Sequence, residues 1–120
     1  MVIYSWGTLF NRMERSKIKR FENPELLDYI KHNLPCVACT KFPDETDICA
    51  HHVRTRGSGG HDIPENLMPL CKSCHVKIHA IGTNAMAKQH ESVKKWLILA
   101  NWEWDKYTNK WRYYGNEEAE

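Results

Sequence analysis

The sequence has no long apolar run. Nothing in its 120 residues approaches the roughly 20 consecutive apolar residues that a membrane-spanning helix needs. The opening MVIYSWGTLF lacks the basic start of a secretory leader, and charge follows it at once. These absences predict a soluble, intracellular (cytoplasmic) chain with no membrane partner. Internal repeats and low-complexity blocks are missing too, so the length reads as one small domain with a modest core. An excess of one charge is also missing. The formal net charge is only +2, too little to argue a polyanionic partner by itself.

The distribution of charge is more telling. Arg12, Arg15, Lys17, Lys19 and Arg20 crowd one segment, and Arg54 and Arg56 crowd another. Such clusters suit a nucleic-acid surface, with a solvated charged face as the alternative. Residues 1–22 read as a basic N-terminal segment, 23–82 as the core, and 83–120 as a C-terminal extension of the same domain. In NPELLDYIKHN, Asn23 can cap a helix and Pro24 can start it, with Leu26, Leu27 and Ile30 on its apolar stripe. DICAHHV reads as a strand, RTRGSGGHDIPEN as a loop, and LMPL as a second strand weakened by Pro69. CKSCHVKIHAIG reads as a helix closed by Gly82, and a further helix capped by Thr83 or Asn84 is expected through about Ala100. The alternating aromatics of WEWDKYTNKWRYY predict a hairpin turning at Thr108-Asn109, its aromatics serving packing rather than stacking on bases. Glu117 to Glu120 are expected to fray.

Cysteine is used in pairs. Cys36-Val-Ala-Cys39 and Cys71-Lys-Ser-Cys74 can each bend around one side of a tetrahedral zinc, and together they close it. Four thiolates leave no open position for water, which gives the ion a structural role. Two disulfides or four core cysteines are the alternatives; a reducing compartment favours the metal. Cys49 is left over and reads as a small buried apolar residue.

Histidine is the other informative residue. His75 and His79 stand four apart on the expected helix, so both imidazoles can reach one ion, although exposed histidines on helices are common. Before them come His51-His52 and then Asn66. This order, carried by AHHVRTRGSGG, PENLMPLC and CKSCHVKIH between CVAC and Gly82, resembles the HNH nucleases with their ββα-metal (His-Me finger) core. The resemblance implies an α+β fold: a small single domain with a ββα-metal core, zinc knuckles, flanking helices and a C-terminal β-hairpin. It implies a metal-dependent endonuclease hydrolysing DNA. His52 would be the general base and Asn66 the residue whose side-chain carbonyl orients it. His51, His75 and His79 would hold one catalytic divalent ion (Mg²⁺, Mn²⁺, Ni²⁺ or Zn²⁺), while Cys36, Cys39, Cys71 and Cys74 hold structural zinc. Arg54 and Arg56 would clamp phosphates, and Gly57, Gly59 and Gly60 would let the backbone approach the nucleic acid. Beyond residue 82 the chain resembles small phage nucleases linked to recombination, which implies a phage-encoded protein of a bacterial host. A non-catalytic zinc-stabilised DNA-binding module and an RNA-directed nuclease with the same core are the competing readings.

Two loop residues, His61 and Asp62, stand outside the pattern. His61 has no assigned role, and Asp62 reads as a cap for the turn before Pro64, with a place behind the metal ligands as the alternative. The doublet itself poses a geometric condition. Neighbours in a regular strand point to opposite faces. If both histidines serve one site, the strand must end, twist or bulge there. If the strand is regular, one of them is structural, and His51 would be the one to lose its ligand role.

Overall fold

The computed structural model describes residues 20–114. Arg12, Arg15, Lys17, Lys19 and the tail expected to fray lie outside the described residues. The described chain is a mixed α+β domain: four α-helices and two two-stranded antiparallel sheets.

Helix α1 runs Pro24–Asn33. Asn23 caps it as expected, its Oδ1 accepting the Leu26 amide at 3.1 Å. Ile30 is its buried contact with the core, flanked by Leu26 and Leu27. Strand β1 is Ile48–His52 and pairs with β2, Leu67–Cys71, in one unbroken register from Ile48↔Cys71 to His52↔Leu67. All five residues of β2 are buried. Pro69 does not weaken this strand. It lies opposite Ala50, and its carbonyl accepts the Val37 amide at 2.9 Å. Its backbone polar groups therefore face away from β1, and the ladder loses no bond at proline.

Helix α2, Lys72–Ile81, starts directly from β2, and Gly82 closes it at φ 91°. The single helix expected through Ala100 is two: α3, Thr83–Gln89, and α4, Glu91–Leu99. His90 breaks the run with extended backbone (φ −126°, ψ 107°), and its amide bonds the Met86 carbonyl. The break folds two short helices around one core, so that Met86, Val93 and Leu97 are all fully buried. The C-terminal hairpin forms as expected from β3, Trp102–Asp105, and β4, Lys110–Tyr113, but its loop takes in all of 106–109. Ile30, Ile48, Leu70, Ile78, Met86, Leu97 and Trp102 belong to one core cluster. That cluster unites the 23–82 region with the 83–120 extension. No described helix is long and apolar enough to cross a membrane.

Candidate functional site

Two cation-ready clusters flank α2. The first joins Cys36 and Cys39, in the turn after α1, to Cys71 and Cys74 at the start of α2; all four sulfurs lie within 4.8 Å of one another. The local backbone is built for this. Thr40 takes the left-handed φ of 65°, and the Cys39 amide donates to Cys36 Sγ at 3.4 Å. On the other side Cys71 caps α2, its sulfur accepting the Cys74 amide at 3.5 Å. Burial opposes ionisation of Cys71, but the Ser73 hydroxyl, the Cys74 amide and the neighbouring thiols outweigh it and bring it down to about 6. Burial and the other sulfurs push Cys39 and Cys74 up. A cation would relieve the opposed ionisation of Cys39 and Cys74, and the cluster can hold a structural metal ion. Cys49 is outside it and half-buried rather than buried.

The second cluster is His51 of β1 with His75 and His79 of α2, their ligand nitrogens also within 4.8 Å of one another. Ring centroids are 5.2 Å apart for His51–His75, 5.0 Å for His51–His79 and 4.8 Å for His75–His79. The Nε2 atoms of His75 and His79 converge to 3.2 Å. His51 is 5 % exposed, and its buried Nδ1 has no hydrogen-bond partner. Burial first, then the charges of His75, His79 and His52, push His51 down to about 3. Burial and the same neighbours lower His75. Both shifts favour the neutral ring, whose lone pair a cation can take.

The strand is regular through the doublet, and the expected consequence for His51 is overturned. His51 stays with His75 and His79, and it is His52 that turns elsewhere. Its Nε2 lies 2.7 Å from Asp62 Oδ1, with 10 % of the His52 side chain exposed. Asp62 is 2 % exposed and fully engaged: Arg20 Nη1 at 2.5 Å and the Asn23 amide at 2.9 Å complete its shell. Burial raises its pKa, but the Asn23 amide, His52 and Arg20 more than reverse this and hold it below the usual carboxylate range. An ionised Asp62 only accepts, so His52 donates Nε2–H and keeps Nδ1 as its free nitrogen. Asp62 therefore neither caps the turn before Pro64 nor sits behind the ligand histidines.

Asn66 also departs from expectation. Its side chain does not orient His52. Oδ1 accepts the Arg54 amide at 2.7 Å, and Nδ2 donates to the carbonyls of Arg54 (3.1 Å) and His61 (3.0 Å). At 4 % exposure it is the buried clasp of the 54–66 loop, whose short polar side chain matches three backbone groups that would otherwise be unpaired. His61 gains a role, its Nδ1 accepting the Phe21 amide at 2.8 Å. Arg54 and Arg56 are exposed, and Arg54 Nε donates to the Ser58 carbonyl at 2.9 Å. Two glycines serve the loop itself. Gly59 takes φ 85°, and a Cβ on Gly60 would fall 1.8 Å from the Arg54 carbonyl oxygen.

Asp62 and Arg20 are what sequence reasoning missed. One sits in a glycine-rich loop and the other ends a basic run, and no periodicity links positions 42 residues apart.

Together these features define a small α+β domain whose ββα unit carries two metal-competent clusters and a carboxylate-held histidine. The chain belongs to a family described as "Protein of unknown function (DUF968)", whose profile matches residues 8–99. That span covers both clusters and α1 to α4 and stops short of the hairpin. No curated protein and no solved structure matches the chain.

Proposed function

We propose that the protein is a metal-dependent endonuclease of the HNH type that hydrolyses DNA phosphodiester bonds. The observation that carries this reading is the convergence of His51, His75 and His79 beside a histidine, His52, held by a buried carboxylate. The three imidazoles fit a divalent ion. Their nitrogens converge, His51 and His75 are held neutral, and the orphaned His51 Nδ1 lacks any other partner. When bound, that ion supplies Lewis-acid stabilisation to a phosphate oxygen and to the leaving 3′ oxygen. Four thiolates from two C-x-x-C turns suit zinc at the other cluster.

The chain's own residues do the remaining work. Asp62 fixes the tautomer of His52, which is the task first expected of Asn66. The free Nδ1 takes a proton from water as the water oxygen attacks phosphorus. Asn66 sets the shape of the loop that leaves His52, and the phosphate contacts proposed for Arg54 and Arg56 depend on that loop. Arg20 keeps Asp62 ionised and therefore an acceptor.

Purified protein should cut plasmid DNA with at least one of Mg²⁺, Mn²⁺, Ni²⁺ or Zn²⁺. His52→Ala should lower the rate by about 10²–10⁴-fold, the usual contribution of a positioned base. Absence of cutting with every metal defeats the reading and leaves a zinc-stabilised DNA-binding module. Equal cutting by His52→Ala removes the base assignment.

A further inference from the structure

The C-terminal hairpin takes no part in either cluster, yet it walls two open grooves. One groove, ≈ 910 Å³, runs between the hairpin and the glycine-rich loop, with Arg54, His61 and Lys110 in its walls. A second, ≈ 350 Å³, runs between the hairpin and the end of α2, with Ile81 to Asn84 on one side and Trp104 on the other. Val53, Lys110 and Trp111 line both. Val53 directly follows His52, and Ile81 lies two residues beyond His79. The two grooves thus flank the candidate site, whose four histidines line neither of them.

Aromatic rings and cations dominate the groove walls, with one carboxylate, Glu65, in the first groove. Trp102, Trp104, Trp111 and Tyr113 share one pleat face of the hairpin, because Trp102 pairs with Tyr113 and Trp104 with Trp111. Trp102 is seated in the core, its Nε1 donating to the Glu65 carbonyl at 2.7 Å. That end serves packing, as expected. At the outer end Trp111 also packs against the core, while Trp104 is 38 % exposed and meets it edge-on at 6.0 Å inside the second groove. Among the described residues, Arg54 and Lys110 have no carboxylate partner. An open path with aromatic faces at its edge and unpaired cations along it matches a strand of unstacked bases and phosphates. A duplex keeps its base faces covered.

We propose that the hairpin and the two grooves bind a single strand of nucleic acid beside the loop that follows His52 and the end of α2. The proposal rests on the nuclease reading for its purpose, but the binding surface is separable from it. Binding is to be measured by fluorescence anisotropy on the full chain carrying His75→Ala, so that cleavage does not interfere. The probes are 20-nucleotide single-stranded DNA and RNA and a blunt DNA duplex of the same length.

Single strands should bind at least tenfold more tightly than the duplex. Lys110→Glu, at an exposed position, should weaken single-strand binding at least tenfold and reduce its salt dependence. Trp104→Ala should weaken it at low and high salt alike, as loss of stacking predicts. Tighter DNA or tighter RNA identifies which strand is the ligand, and either outcome supports the groove. Duplex preference, or single-strand affinity unchanged in both Lys110→Glu and Trp104→Ala, overturns it. Wild-type protein that cuts DNA while both variants bind normally defeats the groove alone. Variants that lose binding while wild type never cuts defeat the nuclease alone.

Discussion

His51 and His52 divide their labour because they are neighbours in a regular strand. Alternation sends one ring toward α2 and the other toward the loop, so a motif written as a doublet is two half-sites in space. Asp62 makes the second half-site possible, and it does so at a cost in acid. It is 2 % exposed and shared between Arg20 and His52. Removing one partner of a buried ion pair strands the other, which typically costs about 3–5 kcal/mol. Asp62→Ala should therefore lower the urea midpoint by that equivalent at pH 7. The sign of its pH dependence follows from the direction of its shift. Folding holds the Asp62 pKa below its ordinary 3.8, so the stabilisation is complete above that value and is lost as pH falls through the folded one. Urea titrations from roughly pH 5 down to pH 2 should show a steeper acid loss in wild type than in Asp62→Asn. Parallel curves would mean that Asp62 is not the acid-sensitive group.

At the scale of elements, the loop between the strands is the most tightly specified irregular segment. Asn66 ties its two ends together, and Gly60 lets it fold onto the Arg54 backbone. The three glycines look alike in sequence and are not alike in space. A Cβ on Gly57 meets nothing within 4 Å, whereas one on Gly60 collides with main chain. Thermal unfolding should find Gly57→Ala within about 0.5 kcal/mol of wild type. Gly60→Ala should lose about 1–3 kcal/mol, as overpacked positions do. The strands, α1, α2 and the hairpin were legible because each is announced locally: Asn23-Pro24 at a helix start, Gly82 at a helix end, alternating aromatics in a hairpin. The break at His90 was not legible, since the apolar spacing from Met86 to Ala100 runs straight through it. Nor was the Asp62–His52 contact, which depends on how a loop folds back rather than on any spacing along the chain.

At the scale of the molecule, α2 is where everything meets: Cys71 caps it, Cys74 opens it, Ile78 anchors it in the core, and His75 and His79 project from it. Each cysteine pair and the His75–His79 pair were legible because C-x-x-C and i, i+4 spacings bring their members together locally, whereas the fold joins the two cysteine pairs and adds His51. The shared helix makes the two clusters unequal partners. The cysteine cluster clamps the turn after α1 to the β2–α2 junction, segments 32 residues apart at Cys39 and Cys71. The histidine cluster adds a second link between β1 and α2, which the β1–β2 ladder and the core already hold together. Loss of an ion held by the four cysteines should thus unfold the domain. Structural zinc in small peptides contributes about 10–16 kcal/mol of apparent binding free energy, as much as the ~5–15 kcal/mol that separates an ordinary domain from its unfolded state. Cys36→Ala and Cys71→Ala should purify without tightly held zinc and should show no cooperative unfolding transition. His75→Ala should keep one zinc per chain and its fold while losing the second metal-binding event in a titration. Metal analysis and circular dichroism on the three variants decide the matter. If Cys36→Ala retained both the zinc and the transition, the cluster would be four core thiols and the clamp would belong to the apolar core alone.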